Sequence, residues 1–188
     1  MPGTTISTRI NKMLISLLFL IFCATVHGCP KELSLVRSPL WKTQQIPGQK
    51  VDVFCSTGKP FACPYIPPNN IAHWLQFTSP LPGSLGLSYA ISPECVGNSS
   101  QLTLDQVLLV GDKDPSLRQN GTFTISAFGA EIGRILLDNP FEWSKFNFSF
   151  AAKNPPLQTS DLQFQYQLTS SVQRTLTVLT IGSISVET

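Results

Sequence analysis

Apolar and polar residues alternate without a break in the stretch LQFQYQL, residues Leu162–Leu168. A second stretch, FNFSF, residues Phe146–Phe150, shows the same alternation. A period of two residues is the pattern of a β-strand with one face in the core and the other in solvent. We therefore predict two such strands, with core positions for the rings of Phe146, Phe148, Phe150, Phe164 and Tyr166.

Short apolar or alternating runs bounded by Pro, Gly and Asn recur along the chain, whereas helical periodicity is scarce. Seven or eight candidate strands of this kind indicate an all-β sandwich. The candidate strands are Lys50–Phe54, His73–Phe77, Ser100–Val110, Gly121–Phe128, Ser144–Ala151, Asp161–Leu168 and Thr175–Ile181, the last followed by Ser183–Val186.

The first 28 residues have the features of a secretory signal peptide. Arg9 and Lys12 precede a short apolar run, and Val26 and Gly28 supply small residues at the cleavage positions. We expect a signal peptide over 1–28, a single domain over 29–188 and an extracellular, secreted product without a transmembrane segment.

Composition argues against a nucleic-acid partner. Only 13% of the residues are charged, and once Arg9 and Lys12 are removed, eleven basic residues balance eleven acidic ones. A neutral surface rich in Ser, Thr, Asn and Gln is typical of secreted β-proteins.

The cysteines of the mature chain are Cys29, Cys55, Cys63 and Cys95. An even number in an oxidising compartment predicts two disulfides, whose pairing the spacing leaves open. A zinc site is disfavoured because there is no CxxC pair and His73 is the only histidine of the mature chain. We expect neither a metal nor a cofactor. Three N-x-S/T sequons predict glycosylation, at Asn98, Asn120 and Asn147.

The first half of the mature chain is interrupted by prolines, and Cys55, Cys63 and Cys95 bracket the interruption. We expect disulfide-stapled N-terminal loops there, and loops of this kind often carry binding function.

The second half resembles a known family. FEWSKFNFSFAA (Phe141–Ala152), LQFQY (Leu162–Tyr166) and LTVLTIGSISV (Leu176–Val186) are similar to the last three strands of galactose-binding-like jelly rolls, the fold of many carbohydrate-binding modules. The resemblance covers mainly residues 120–188. It implies a jelly-roll type β-sandwich and a secreted, non-catalytic recognition module that binds carbohydrate. On this interpretation we expect the pairs Cys63–Cys95 and Cys29–Cys55.

Sugar-binding modules stack the apolar face of a pyranose on exposed aromatic rings, while nearby amides bind its hydroxyls. Aromatic and amide residues in or beside the irregular first half are therefore our candidate ligand-binding residues. They are Trp41, Tyr65, Trp74, Tyr89, Asn69, Asn70 and Gln76.

Three alternatives remain open. An immunoglobulin-like adhesion or receptor fragment is suggested by Cys55 and Trp74, which resemble the B-strand cysteine and C-strand tryptophan of that fold, and it requires a Cys55–Cys95 pair. A small secreted glycoside hydrolase would need two carboxylates across a cleft. The acids close in sequence, Glu131, Asp138 and Glu142, flank turn residues instead, so we assign no catalytic residue. A structural extracellular protein with protein partners is the third.

Overall fold

A computed structural model describes residues 29–44, 53–58, 63–79, 83–92, 95–97, 99–111, 120–137, 142–151, 160–169 and 177–188. The predicted signal peptide, Asn98 and Asp138 lie outside the described residues. The chain divides into a unit of residues 1–30 and a unit of residues 31–188, and every strand below belongs to the second unit.

The fold is all-β, and the described residues form ten antiparallel strands in two five-stranded sheets. Sheet A has the order β2-β3-β10-β5-β8, and sheet B has the order β1-β4-β9-β6-β7. The strands are β1 (Trp41–Gln44), β2 (Phe54–Ser56), β3 (His73–Ser79), β4 (Gly83–Ile91), β5 (Ser100–Val110), β6 (Gly121–Ala127), β7 (Ala130–Leu136), β8 (Ser144–Phe150), β9 (Ser160–Leu168) and β10 (Thr177–Glu187). The predicted jelly-roll type β-sandwich is confirmed.

The main core lies between the two sheets. Phe77 of sheet A packs on Phe123 and Tyr166 of sheet B, with ring centroids 5.2 and 5.9 Å apart. The Tyr166 hydroxyl donates a hydrogen bond of 2.8 Å to the Thr177 carbonyl on the opposite sheet. Phe164 and Tyr166 are fully buried and Phe150 is nearly so, which confirms their predicted face. Phe146 and Phe148 are partly buried against the same core, because β8 lies at one edge of sheet A.

Three strands were missed at the sequence level. Strand β4 buries Leu85, Leu87 and Ile91 on one face, whereas the prolines before it predict a loop. Strand β7 contains Gly133, a residue that predicts a turn. Strand β1 has four residues and buries only Trp41, too little for a periodic signal. Strand β2 begins at Phe54, where the predicted strand ended.

Along β5 and along β10, the alternation of inward and outward side chains changes phase at the same level of sheet A. Leu104 and Val107 both enter the main core, as do Ile181 and Ile184, although each pair is three residues apart. The shift coincides with a register irregularity between Leu104 and Val107 in the pairing of β5 with β8. A bulge of this kind inserts a residue and re-aims the side chains that follow. Beyond it, Leu108 and Val110 face outward.

The predicted disulfide pairs are wrong. Cys55 is bonded to Cys63, eight residues away, which overturns Cys63–Cys95 and Cys29–Cys55 and also removes the Cys55–Cys95 pair that the immunoglobulin alternative requires. Cys29 and Cys95 are each disulfide-bonded as well. The physical reason lies in the register, because Cys55 sits opposite Trp74 on the outer face of sheet A, and Cys63 packs in the same cluster with both residues.

Candidate functional site

Two of the predicted platform residues lie in the main core. Trp41 is 7% exposed and Tyr89 is 4% exposed, and their rings meet edge to face with centroids 4.7 Å apart. Trp41 Nε1 donates a hydrogen bond of 2.7 Å to the Ser34 carbonyl. This placement differs from the exposed aromatic platform that we predicted, because both rings face the interior of the sandwich.

Trp74 and Gln76 are also buried, on the other side of sheet A. Trp74 is 0% exposed and packs against the Cys55–Cys63 disulfide. Its Nε1 has no hydrogen-bond partner within the described part of the chain. Gln76 is 4% exposed, and its Oε1 accepts a bond of 3.4 Å from the Tyr65 backbone N–H. Neither side chain presents a surface to solvent.

The remaining predicted residues are at least partly accessible. Tyr65 is half-buried and packs over the apolar cluster of Leu108, Val110 and Val178 on the outer face of sheet A. Asn69 and Asn70 are exposed in a turn where both have positive φ, 65° and 54°, a conformation that asparagine tolerates better than most residues. The four candidate aromatic rings are thus divided among three separate apolar clusters.

The outer face of sheet B is the most regular polar surface among the described residues. The same alternation that buries Leu162–Leu168 turns Gln163, Gln165 and Gln167 outward, and all three are exposed. Strand register aligns them with polar residues of the neighbouring strands. Gln167 pairs with Ser84 and Thr122.

Two further rows run across this face. One row contains Gln44, Gly86, Gln165, Thr124 and Arg134. The next contains Lys42, Ser88, Gln163 and Ser126, with Glu131 opposite Ser126. We refer to the outward-facing residues Gln44, Ser84, Gly86, Ser88, Gln163 and Gln165 as the amide face.

A shallow depression of about 110 Å³ lies in the amide face. Its lining includes Gln44, Gly86, Ser88, Gln163 and Gln165. Gly86 causes it, because the absence of a side chain leaves a gap in the row between Gln44 and Gln165. A Cβ at position 86 would lie 3.2 Å from Gln44 Cβ and 3.3 Å from Gln44 Oε1, so the Gln44 side chain borders the gap directly.

Hydrogen bonding holds part of the amide face in place. Gln165 Nε2 donates a bond of 2.8 Å to Ser84 Oγ. Gln163, Gln165 and Ser88 line the same depression. Amides and hydroxyls both donate and accept hydrogen bonds, so the lining offers both kinds of partner without a net charge.

Charged groups border the amide face in pairs. Lys42 Nζ lies 3.9 Å from Asp161 Oδ2, and Arg134 Nη2 lies 2.7 Å from Glu131 Oε2. The hydrogen bond and charge of Glu131 raise the pKa of the Arg134 guanidinium. Lys42 and Arg134 are thus each matched by a neighbouring carboxylate.

A second cleft, of about 410 Å³, lies beside sheet A. The segment 32–36 forms one side, Ile71, Ala72 and His73 the other, and Gly182 also lines it. Its walls are mainly aliphatic. Although this cleft is larger, the amide face has the greater number of hydrogen-bonding side chains fixed by strand register.

Two of the acidic residues considered for a glycosidase, Glu131 and Glu142, are exposed. Glu131 is exposed and paired with Arg134. Glu142 is exposed just before β8, and its carbonyl accepts a bond of 3.3 Å from Ser144 Oγ. Within the described ranges, no group of three or more His, Cys, Asp or Glu residues is arranged to hold a metal ion, and no helix is long and apolar enough to cross a membrane.

Comparison with known proteins gives similarity in fold. No family model and no curated protein matches the sequence. Among solved structures, a CBM4 carbohydrate-binding module has a TM-score of 0.38 and 13% identity, covering 61% of this chain and 82% of its own. A family 11 carbohydrate-binding module from Clostridium thermocellum has a TM-score of 0.39 and 12% identity, covering 81% of this chain and 95% of its own.

A Stig cyclase from Fischerella sp. TAU is also similar, with a TM-score of 0.47 and 12% identity, covering 87% of this chain and 92% of its own. The two antiparallel five-stranded sheets of this chain confirm the resemblance to jelly rolls that we drew from residues 120–188.

The amide face is absent from the binding residues predicted from the sequence, although part of its signal is present. The Gln-x-Gln-x-Gln pattern of residues 163–167 predicts the buried face of β9 and equally marks its polar face. Gln44, Ser84 and Ser88 could not have been found in the same way. They join Gln163 and Gln165 only through the register of β1, β4 and β9, which the sequence does not specify.

Proposed function

We propose that this protein is a secreted, non-catalytic recognition module that binds carbohydrate through the amide face of sheet B. The observation that supports the proposal is the neutral depression at Gly86, bordered by the side chains of Gln44, Ser88, Gln163 and Gln165. Paired amides and hydroxyls fixed on a rigid sheet are the partners that sugar hydroxyls require.

The geometry favours a short chain of sugars over a single one. The row from Gln44 through Gly86 and Gln165 to Thr124 crosses four strands. At a strand spacing of about 4.8 Å, such a row extends over roughly 15 Å, and polar side chains continue along it beyond the depression. An oligosaccharide lying across the strands would contact several of them at once.

The chemistry of the face also indicates a neutral ligand. Lys42 and Arg134 are each paired with a carboxylate, so an anionic sugar would have to compete with Asp161 or Glu131 for them. Because binding would depend on hydrogen bonds exchanged with water, each of modest net strength, we expect weak affinity for single sugars and tighter binding for longer oligosaccharides.

Secretion is part of the proposal. The Cys55–Cys63 disulfide is buried and Cys29 and Cys95 are also bonded, which fits a protein that matures in an oxidising compartment. The signal-like segment 1–28 supports the same route. N-terminal sequencing of the secreted protein would test it, and we expect the mature chain to begin at Cys29.

A glycan array with the purified mature chain would test the function, followed by titration of the best oligosaccharide. Replacing Gln163 and Gln165 with Ala should weaken binding at least tenfold. Gly86→Ala should also weaken binding by narrowing the depression. Because its Cβ would lie 3.2 Å from Gln44 Cβ and 3.7 Å from the Gln44 carbonyl oxygen, denaturant unfolding should first establish that this variant folds as the wild type does. Gln101→Ala, at an exposed glutamine on the outer face of sheet A, is the matched control and should bind as the wild type does. Unchanged binding in the first two variants would contradict the proposal.

A further inference from the structure

The sequon at Asn147-Phe148-Ser149 lies within β8, at an edge of sheet A among the described strands. Alternation along the strand turns Asn147 and Ser149 outward, and both are exposed. Phe148 points the other way and packs against the main core. The two sequon residues that an oligosaccharyl-transferring enzyme must recognise are therefore on one accessible face of the folded protein.

The Asn147 side chain is held by its oxygen. Thr103 Oγ1, on the neighbouring strand β5, donates a hydrogen bond of 2.9 Å to Asn147 Oδ1. The oxygen and nitrogen of a planar amide point in different directions, so this bond turns Nδ2 away from Thr103. Nδ2 is the atom that an N-linked glycan modifies.

The surface around Asn147 suits a bulky polar group. Thr103 is opposite Asn147, and Ser185 of β10 is opposite Thr103, so the three positions nearest the sequon are uncharged and hydrophilic. Glu32 lies opposite Ser185 at the far end of the row. The other half of the same face is apolar, with Leu108, Val110 and Val178 packed under Tyr65. The bulge that follows Leu104 separates these two halves, and Asn147 lies on the polar side.

We propose that Asn147 carries an N-linked glycan that covers the polar half of the outer face of sheet A. In the transfer, Asn147 Nδ2 forms a bond to C1 of the first sugar of a lipid-diphosphate-linked oligosaccharide. The bond from C1 to the phosphate oxygen breaks, the lipid diphosphate leaves, and Nδ2 loses one proton. The site is on the opposite sheet from the amide face, so this inference rests on the secretion proposed above but not on carbohydrate binding.

The glycan also has a structural consequence. An edge strand presents backbone groups to which another chain can pair, and proteins commonly protect such edges with charged or bulky groups. Lys145 is exposed on β8, and a glycan two residues further along would add a large hydrophilic obstacle. Lys145 and the glycan together would hinder the pairing of β8 with a strand of a second protein molecule.

Peptide mapping of the full chain, produced in a eukaryotic secretory host and treated with an amidase that releases N-linked glycans, tests the proposal directly. We expect Asn147 to be recovered as aspartate. Recovery of unmodified asparagine at position 147 would overturn the proposal, whatever is found at Asn120 or Asn98.

Two matched variants give a second measurement by intact mass. Ser149→Ala removes the sequon and leaves Asn147 in place, so the secreted protein should lose the mass of one glycan. Ser149→Thr retains the sequon and should keep that mass. Equal mass for Ser149→Ala and wild type would contradict the proposal, and if Ser149→Ala is not secreted, the peptide map of the wild type decides the question.

Discussion

The ring of Phe148 lies directly against the Cα of Gly133. Gly133 belongs to β7 at one edge of sheet B, and Phe148 belongs to β8 at one edge of sheet A. A Cβ built on Gly133 would overlap the ring and lie only 2.6 Å from Phe148 Cγ. The absence of a side chain at position 133 therefore allows the two edge strands to close one side of the sandwich.

Gly133→Ala should destabilise the protein by about 1–3 kcal/mol, because the added methyl group must displace a ring packed against the core. Gly111→Ala is the matched control, since a Cβ at position 111 meets no atom of the described residues within 4 Å, and it should change stability by less than about 0.5 kcal/mol. Denaturant unfolding measures both. Equal stability of the two variants would show that Phe148 and Gly133 do not pack closely.

Phe148→Ala should cost about 2–4 kcal/mol, somewhat below the range for a fully buried phenylalanine, because the ring is only partly buried. In that background Gly133→Ala should cost far less than it does alone, since the ring it would clash with is absent. A double-mutant cycle by denaturant unfolding measures this coupling. Additive effects would be evidence against the contact.

Replacing Cys55 and Cys63 with Ala together should destabilise the protein by about 2–3 kcal/mol, the chain-entropy contribution expected for a short closed loop. Trp74 packs on this disulfide, so its fluorescence should change in the folded state as well. Peptide mapping of the non-reduced protein should recover a Cys55–Cys63 linked pair. Recovery of Cys55 linked to any other cysteine would refute the arrangement of the outer face of sheet A.

Stability should fall as the pH rises above about 10, because burial raises the pKa of Tyr166 above its usual value. The folded state keeps the Tyr166 proton while the unfolded state loses it, so alkaline pH favours unfolding. Burial raises the pKa of Tyr89 in the same direction.

Tyr166→Phe should therefore show a shallower loss of stability between about pH 10 and 12 than the wild type. At neutral pH the variant should be less stable by about 1–2 kcal/mol, since the buried Thr177 carbonyl loses the hydrogen bond from the Tyr166 hydroxyl. Thermal unfolding across this pH range measures both effects. Parallel pH profiles for the two proteins would contradict the assignment to Tyr166.

The sequence specified those parts of the fold in which local pattern and burial agree. Strand β9 was predictable because every second residue of 162–168 is apolar, and β5 was predicted with its observed bounds. Strand β4 was not predicted because prolines precede it, and β7 was not predicted because Gly133 is typical of a turn. Gly86 and Gly133 instead serve the fold through the space that they leave. That role depends on Gln44 and Phe148, which are distant in sequence.

The sequence did not reveal whether the candidate aromatic residues are exposed or buried. Trp41, Trp74 and Tyr89 are buried, and a tryptophan in the sequence looks the same whether it fills the core or faces a ligand. The amide face arises from three strands brought together by long-range pairing, so its members become visible as one surface only when the register is known.

The most direct test of carbohydrate binding at the amide face is an NMR titration of the isotopically labelled mature chain with the best oligosaccharide from the array. The side-chain amide signals of Gln44, Gln163 and Gln165 should shift with the ligand concentration, and that of Gln101 should stay in place. Shifts confined to sheet A, or the absence of any shift in the amide face at saturating ligand, would contradict the proposed function.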